Sequence, residues 1–169
     1  MKYPRVLVFL AGAFLCGFAG TSHGQTCDGN LLADGDFEGV NAWSQSSSSS
    51  FFIINGISSA HSGTTVAWMG GSGSSDTWTL SQDAIIGTDY YADLVFFMKV
   101  SGLLSGDRLD VYVDDDILYT IDSTITGYDD WNYVAIDVGG YTDGLAHTVK
   151  FMGTLTGSVY IDDVCLTTS

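Results

Sequence analysis

Apolar residues along this chain recur mostly at every second position and seldom at the three-and-four spacing of a helix surface. In 108–113, Leu109, Val111 and Val113 fall on one side, and Asp110 and Tyr112 on the other. Side chains of an extended strand point to opposite faces in turn. Patterns of this kind predict strands at 31–38, 50–55, 64–69, 77–86, 92–101, 108–113, 117–122, 131–137, 147–154 and 158–167. Turn chemistry separates them: Asn55-Gly56, Ser62-Gly63, 70–75, Gly87-Thr88-Asp89, Ser105-Gly106-Asp107, Gly139-Gly140 and Asp143-Gly144. Glycine or β-branched residues interrupt every candidate helix. In 92–100, Leu94, Phe96, Met98 and Val100 make one apolar face, and Val95 and Phe97 make the other apolar too. A strand apolar on both sides is central and covered, or it lines a groove. Many short strands closely spaced by turns predict an all-β fold, an antiparallel two-sheet β-sandwich. Ser44 and 46–50 read as an exposed loop.

The first 24 residues break this pattern. Lys2 and Arg5 precede an apolar run over 6–19, and Ser22-His23-Gly24 places small residues before a cut at Gln25. This is the layout of a secretory signal peptide. The run is short for a membrane-spanning helix, and bulky Phe14 and Leu15 before Cys16 do not suit a lipid anchor. The predicted organisation is therefore a signal at 1–24 and a single domain over 25–169. That domain is expected outside the cell, with no membrane attachment after cleavage.

Cleavage sharpens the charge. The 169-residue chain carries five Lys and Arg against twenty acids, nineteen Asp and Glu38. The processed chain keeps only Lys99, Arg108 and Lys150 as fixed cations, so its net charge is 3 − 20 = −17. So acidic a surface excludes nucleic acid as a partner. Cys27 and Cys165 remain, one near each end, and in an oxidising compartment they are predicted to pair.

Pairing has a chemical consequence. It sets the opening segment 30–38 beside the closing segment 159–166 and crowds Asp36 and Glu38 near Asp162. Crowded carboxylates repel, and burial adds to the cost. Either they are solvated at a sheet edge, or a hard divalent cation such as Ca²⁺ neutralises them. Asp114-Asp115-Asp116 reads as a solvated turn, and the Gly-rich 70–75 as a flexible turn without the helix or Lys of a phosphate cradle. His61 and His147 are the only histidines of the processed chain and sit in no zinc-protease motif. His147 reads as a partly exposed sheet residue. No catalytic residues are assigned, and the protein is read as non-enzymatic.

Four stretches carry a resemblance: Asn-Leu-Leu-x-x-Gly-Asp-Phe-Glu at 30–38 followed by Trp43, then Ala60-His61-Ser62-Gly63, then Ala67-Trp68-Met69-Gly70-Gly71, and Tyr-Ile-Asp-Asp-Val-x-Leu at 160–166. In this order the sequence resembles extracellular jelly-roll domains of the carbohydrate-binding-module and galactose-binding-like type. The resemblance implies a structural Ca²⁺ held by Glu38, carbonyls around 61–63, and Asp162, with Asp36 as a further ligand. It also implies structural roles for Trp43 and Trp68. Sugars stack their C–H faces on aromatic rings. Trp78, Tyr112 and Trp131 are the candidates for exposed ligand-binding rings, on the polar neighbours Thr77 and Thr79, Asp110, and 128–130 respectively. The expected function is binding of glycan or another cell-surface or matrix ligand. The alternative is a self-associating subunit of an extracellular fibre, sheath or matrix.

Overall fold

The computed structural model describes residues 27–39, 42–89 and 91–169, together with the backbone of 6–8. The rest of the expected signal segment lies outside the described residues. The strands are β1 (Val6–Val8), β2 (Ser44–Ser47), β3 (Ile54–Gly56), β4 (Thr65–Gly70), β5 (Asp76–Ile85), β6 (Ala92–Ser101), β7 (Arg108–Val113), β8 (Asp116–Asp122), β9 (Asn132–Asp137), β10 (Ala146–Leu155) and β11 (Ser158–Thr168). One sheet runs β1-β9-β6-β11-β4-β3, the other β2-β5-β10-β7-β8, and every pairing is antiparallel. Among the described residues the helical structure is a single 3-10 turn at Gly139–Tyr141. The predicted sandwich is the observed one.

Alternation buries one face of each sheet against the other. Leu80 of β5, Leu94 and Phe96 of β6, Leu109 of β7, Phe151 of β10 and Ile161 of β11 are fully buried. Phe96 meets Phe151 edge-on at 5.3 Å, Trp43 packs on Phe151 at 6.4 Å, and Phe37 on Trp43 at 5.6 Å. Strand β6 is central, between β9 and β11. Its outward Phe97 is covered by His61, stacked at 3.6 Å. Covering, not a groove, accounts for the two-sided apolar pattern.

Two expected strands need correction. Segment 31–38 is a chain of turns and bends. Asp34 and Phe37 take left-handed φ values of 53° and 57°, which break the two-residue period that a strand requires. Phe37 nonetheless enters the core, as expected. The expected strand 50–55 is displaced: the serine-rich Ser44–Ser47 forms edge strand β2, and only Ile54–Gly56 pairs with β4. β2 pairs with β5 through its backbone, and main-chain bonding asks little of side chains at an edge.

The two ends of the domain meet. Cys27 and Cys165 are bonded with Cα atoms 6.1 Å apart. Leu31 N–H donates to Leu166 O (2.8 Å), and Val164 N–H donates to Gly35 O (2.8 Å). Asn30 completes the seam, its Nδ2 donating to Val164 O and its Oδ1 accepting from Leu166 N–H, both at 2.9 Å. Gly35 tolerates no side chain here, because a Cβ would stand 2.0 Å from Val164 O.

Candidate functional site

The loop between β2 and β3 and the loop between β4 and β5, with residues of β3, β4 and β5, line a cleft of about 400 Å³. Phe51, Phe52, Asn55, Trp68, Ser72 and Trp78 line it. Trp78 is 2% exposed, and Phe51 stacks on it at 6.1 Å with the ring planes 12° apart. Phe51 and Phe52 are 51% and 76% exposed. Paired exposed aromatics on a rigid scaffold mark a binding surface more than a stability device. Trp68 is fixed from behind: it stacks on Tyr160 at 5.5 Å, and its Nε1–H donates to Ser158 Oγ at 3.1 Å. Gly71 must be glycine, with φ +72° and a would-be Cβ 2.5 Å from Ser158 Oγ and 3.1 Å from Trp68 Cζ2.

Buried Asp76, at the start of β5, ties the two loops together. One oxygen accepts from the hydroxyls of Ser48 (3.0 Å) and Ser49; the other accepts from Ser72 (2.6 Å) and Ser74 (3.1 Å). The hydroxyls of Ser49 and Ser72, more than burial, hold its pKa at about 2. The expected flexible turn at 70–75 is thus an anchored wall, and the serine run supplies the other anchor.

The three ring candidates lie apart. Trp78 is buried, against expectation. The alternation with Thr77 and Thr79 is correct, but its face is the inward one, shared with Leu80. It reaches the cleft as an enclosed wall. Tyr112 is half-buried on the outer face of β7, with Lys150 Nζ 4.6 Å from its ring centroid. Beside it, Arg108 Nε donates to Asp110 (2.7 Å), and Thr120 Oγ1 donates to the other oxygen of Asp110 (2.6 Å). Trp131 precedes β9, donates from Nε1 to Ser59 O (3.0 Å) and meets His61 edge-on at 5.7 Å. Trp43 is structural, as expected, but half-buried Trp68 lines the cleft. Phe51 and Phe52 were not singled out in the sequence. Adjacent aromatics cannot both face the core of one strand, and that was the available signal.

The terminal acids form a second centre. Asp162 is fully buried; its Oδ2 accepts from His61 N–H (2.9 Å) and Ser62 N–H (3.1 Å), and its Oδ1 from Asp163 N–H (2.9 Å). Burial, with the neighbouring charge of Asp163, outweighs these bonds and pushes its pKa up to about 7. Exposed Glu38 accepts from the amides of Thr64 (2.7 Å) and Thr65 and from Thr64 Oγ1 (3.1 Å). Burial opposes ionisation of Glu38, but the bonds from Thr64 and Thr65 prevail and lower its pKa. Loop 61–65 is therefore gripped by both predicted carboxylates, one from each end of the domain. Gly63, φ +57°, sits so close that a Cβ would stand 2.4 Å from Glu38 Cδ. Asp36 does not join that grip: its Oδ1 lies 3.4 Å from Glu38 N, and it lines a small cavity with Asp34 and Asp163. Among the described residues no three His, Cys, Asp or Glu side chains gather into a metal-holding group.

Negative charge is nevertheless in surplus at this end. Asp34 Oδ2 is buried with no partner, and burial first, then the charges of Asp36 and Glu38, raise the Asp34 pKa. A buried carboxylate oxygen without a partner, close to further acids, is the kind of hard donor that a cation such as Ca²⁺ takes.

His147 departs from its expected role as a partly exposed residue. It is buried, with Nδ1 2.8 Å from Asp114 and Nε2 2.9 Å from Asp143. Two carboxylate acceptors require a proton on each ring nitrogen, the imidazolium form. Burial alone would lower its pKa, but the bonds and charges of Asp114 and Asp143 outweigh it and raise the value. Asp114 also accepts from Thr148 N–H (2.9 Å), so this part of the acidic turn is structural. A raised histidine pKa adds stability that is complete below the unfolded value and is lost as pH rises through the folded value. The melting-temperature advantage of the wild type over His147→Gln is expected to be larger at about pH 5.5 than at about pH 9. Thermal melts of both proteins across that range check it; an advantage that grows with pH contradicts the imidazolium assignment.

No protein-family model matches the sequence, and no curated protein is significantly similar to it. Solved structures do share the fold. TmCBM61, solved with β-1,4-galactotriose, superposes with a TM-score of 0.61 at 18% identity, over 83% of this chain and 99% of that one. A structure described as a carbohydrate-binding module of the β-sandwich superfamily gives 0.52 at 13% identity, covering 83% and 64%. The enzymatically active domain of bacteriophage CBA120 tailspike protein 4 gives 0.51 at 17%, over 83% of this chain but 21% of that one. The likeness is one of fold, and it agrees with the jelly-roll resemblance read from the sequence. Among the described residues no helix is long and apolar enough to cross a membrane.

Proposed function

We propose that this protein is a secreted, non-catalytic module that binds glycan in the cleft walled by Phe52, Trp68 and Trp78. The observation that carries this reading is a cleft of about 400 Å³ lined by a pair of exposed phenylalanines and by an immobilised tryptophan, Trp68. Aromatic faces offer a sugar ring its stacking partners, and fixed loops lower the ordering cost of binding. The shared fold with carbohydrate-binding modules supports it. Titration with a panel of neutral oligosaccharides that includes β-1,4-galactotriose tests it. Phe52→Ala removes a side chain that is mostly in solvent, so it should weaken binding about tenfold, about 1.4 kcal/mol, without loss of stability. Undiminished affinity in that variant would remove the cleft from the account.

The reading includes a structural Ca²⁺ at the seam of the two ends. Glu38 and Asp162 would hold it, with oxygen atoms of loop 61–65. The ion would supply positive charge to buried Asp162 and exposed Glu38, and no chemistry on the ligand. Millimolar Ca²⁺ is expected to raise the melting temperature relative to chelator, and Glu38→Gln to abolish most of that response. Equal responses of wild type and variant to Ca²⁺ in differential scanning calorimetry would place any ion elsewhere.

A further inference from the structure

The hydrogen-bonding groups of the cleft are not neutral in sense. Asn55 spends its amide donors on its own loop, Nδ2 donating to Phe52 O (2.8 Å) and Ile53 O (3.0 Å). This fixes the orientation of the side-chain amide and leaves Oδ1 as its free end. Trp68 spends its Nε1–H on Ser158. Ser72 spends its hydroxyl proton within its own loop and on Asp76, with Asp76 Oδ2 at 2.6 Å and Ser74 O at 3.0 Å as its acceptors. A serine whose proton is committed can only accept. The remaining side-chain donor, Trp78 Nε1–H, is buried without a partner. The side-chain groups open to a ligand are thus aromatic faces and oxygen lone pairs, Trp78 Nε1–H being closed to solvent. None of its lining residues is charged.

Asp76 sets this polarity. As an ionised carboxylate it only accepts, so all four serine protons from its two loops must point toward it. With its pKa held at about 2 by those hydroxyls, it stays ionised through any neutral or mildly acidic medium. We propose that the cleft selects uncharged, hydroxyl-donating sugars and refuses glycans bearing carboxylate or sulfate groups, with Asp76 as the positioning residue that imposes the selection. This rests on the glycan reading above and goes on to name the class of glycan. An anionic group brought to Ser72 Oγ and Asn55 Oδ1 would meet lone pairs and, one bond further, the charge of Asp76. A sugar hydroxyl there donates and is satisfied. Sites built for a given hydrogen-bond sense discriminate strongly because the wrong partner leaves buried polar groups unpaired.

The net charge of the processed chain also repels anions, so the experiment must separate a local effect from a global one. The probes are mixed-linked β-1,3-1,4-glucan tetrasaccharide, β-1,4-galactotriose, and the same two backbones oxidised at C6 to uronates. Affinities are measured by calorimetry at low salt and at about 0.5 M NaCl, where charges beyond a few ångströms are screened. The expected result is a neutral form bound at least about 20-fold more tightly than its uronate at both salt concentrations. Uronate and neutral forms bound within about threefold of each other at high salt would overturn the inference while leaving glycan binding intact. Failure of all four probes would count against the glycan reading itself. Asp76→Asn gives a second readout. The side-chain amide it introduces needs acceptors, so serine protons turn outward, and the neutral-to-uronate ratio should fall at least about fivefold. An unchanged ratio in the folded variant would remove Asp76 from its assigned role. The wild-type comparison stands alone if that variant does not fold.

Discussion

Replacing Cys27 and Cys165 together by serine is expected to lower the melting temperature by roughly 10–15 °C. The bond spans a sequence separation of 138 residues, nearly the whole described domain. In the chain-entropy account, closing so long a loop removes about 5 kcal/mol of freedom from the unfolded chain, and measured values are often somewhat smaller. Two features argue for retention of most of it. The Cα atoms are 6.1 Å apart, an ordinary bridging distance. The seam beside the bond is already held by Asn30, Leu31 and Gly35 against β11, so the native arrangement does not depend on the sulfurs to form. The double variant should therefore fold to the same structure with reduced stability, seen as a shifted denaturation midpoint with an unchanged near-ultraviolet circular dichroism spectrum. A shift of less than about 3 °C would mean that the unfolded chain keeps its ends together without the bond.

The second large effect concerns binding. Trp68→Ala is expected to reduce glycan affinity at least about 50-fold, or about 2.3 kcal/mol. Trp68 is the cleft wall whose position is most fully determined, backed by Tyr160 and bonded to Ser158. Its loss removes a stacking surface and loosens Gly71, packed against the indole. Because the stack with Tyr160 also supports the sheet, some stability will go with it. Trp68→Phe separates the two contributions: it restores a ring without the Nε1–H and should recover part of the affinity. Tyr112→Ala is the control. Tyr112 lies on the outer face of β7 beside Lys150, away from the cleft, and its removal should leave affinity within about twofold. A larger loss from Tyr112 than from Trp68 would move the site to the five-stranded sheet.

Much of this architecture was legible because it rests on short-range periodicity. β6 and β10 are ten residues long, β6 buries every second residue from Ala92 to Val100, and β6, β7 and β10 end at glycine-bearing or acidic turns, so pattern and fold agree. The meeting of the ends followed from two cysteines and needed no geometry. What failed did so where tertiary bonds replace period. Residues 31–38 look like a strand because Leu31, Leu32 and Phe37 are apolar, yet two left-handed residues let Asn30 and Gly35 bond to β11 across more than a hundred residues. Ser48 and Ser49 look like solvated filler, and only the folded chain shows that Asp76 collects them. Trp78 shows the limit in another form: alternation separated its face from that of Thr77 and Thr79 but did not say which face is inward. The cleft itself is assembled from residues of separate loops and strands, and no local pattern in the sequence marks such a convergence.

The central claim is that sugar is received in the cleft between the 48–53 and 71–75 loops. The most direct test is a crystal structure of the protein with the tightest-binding neutral oligosaccharide of the panel. The account predicts a sugar ring against Phe52 and Trp68, with hydroxyls donating to Asn55 Oδ1 and Ser72 Oγ. A sugar lying instead across Tyr112 and Lys150, with the cleft holding only solvent, would contradict it.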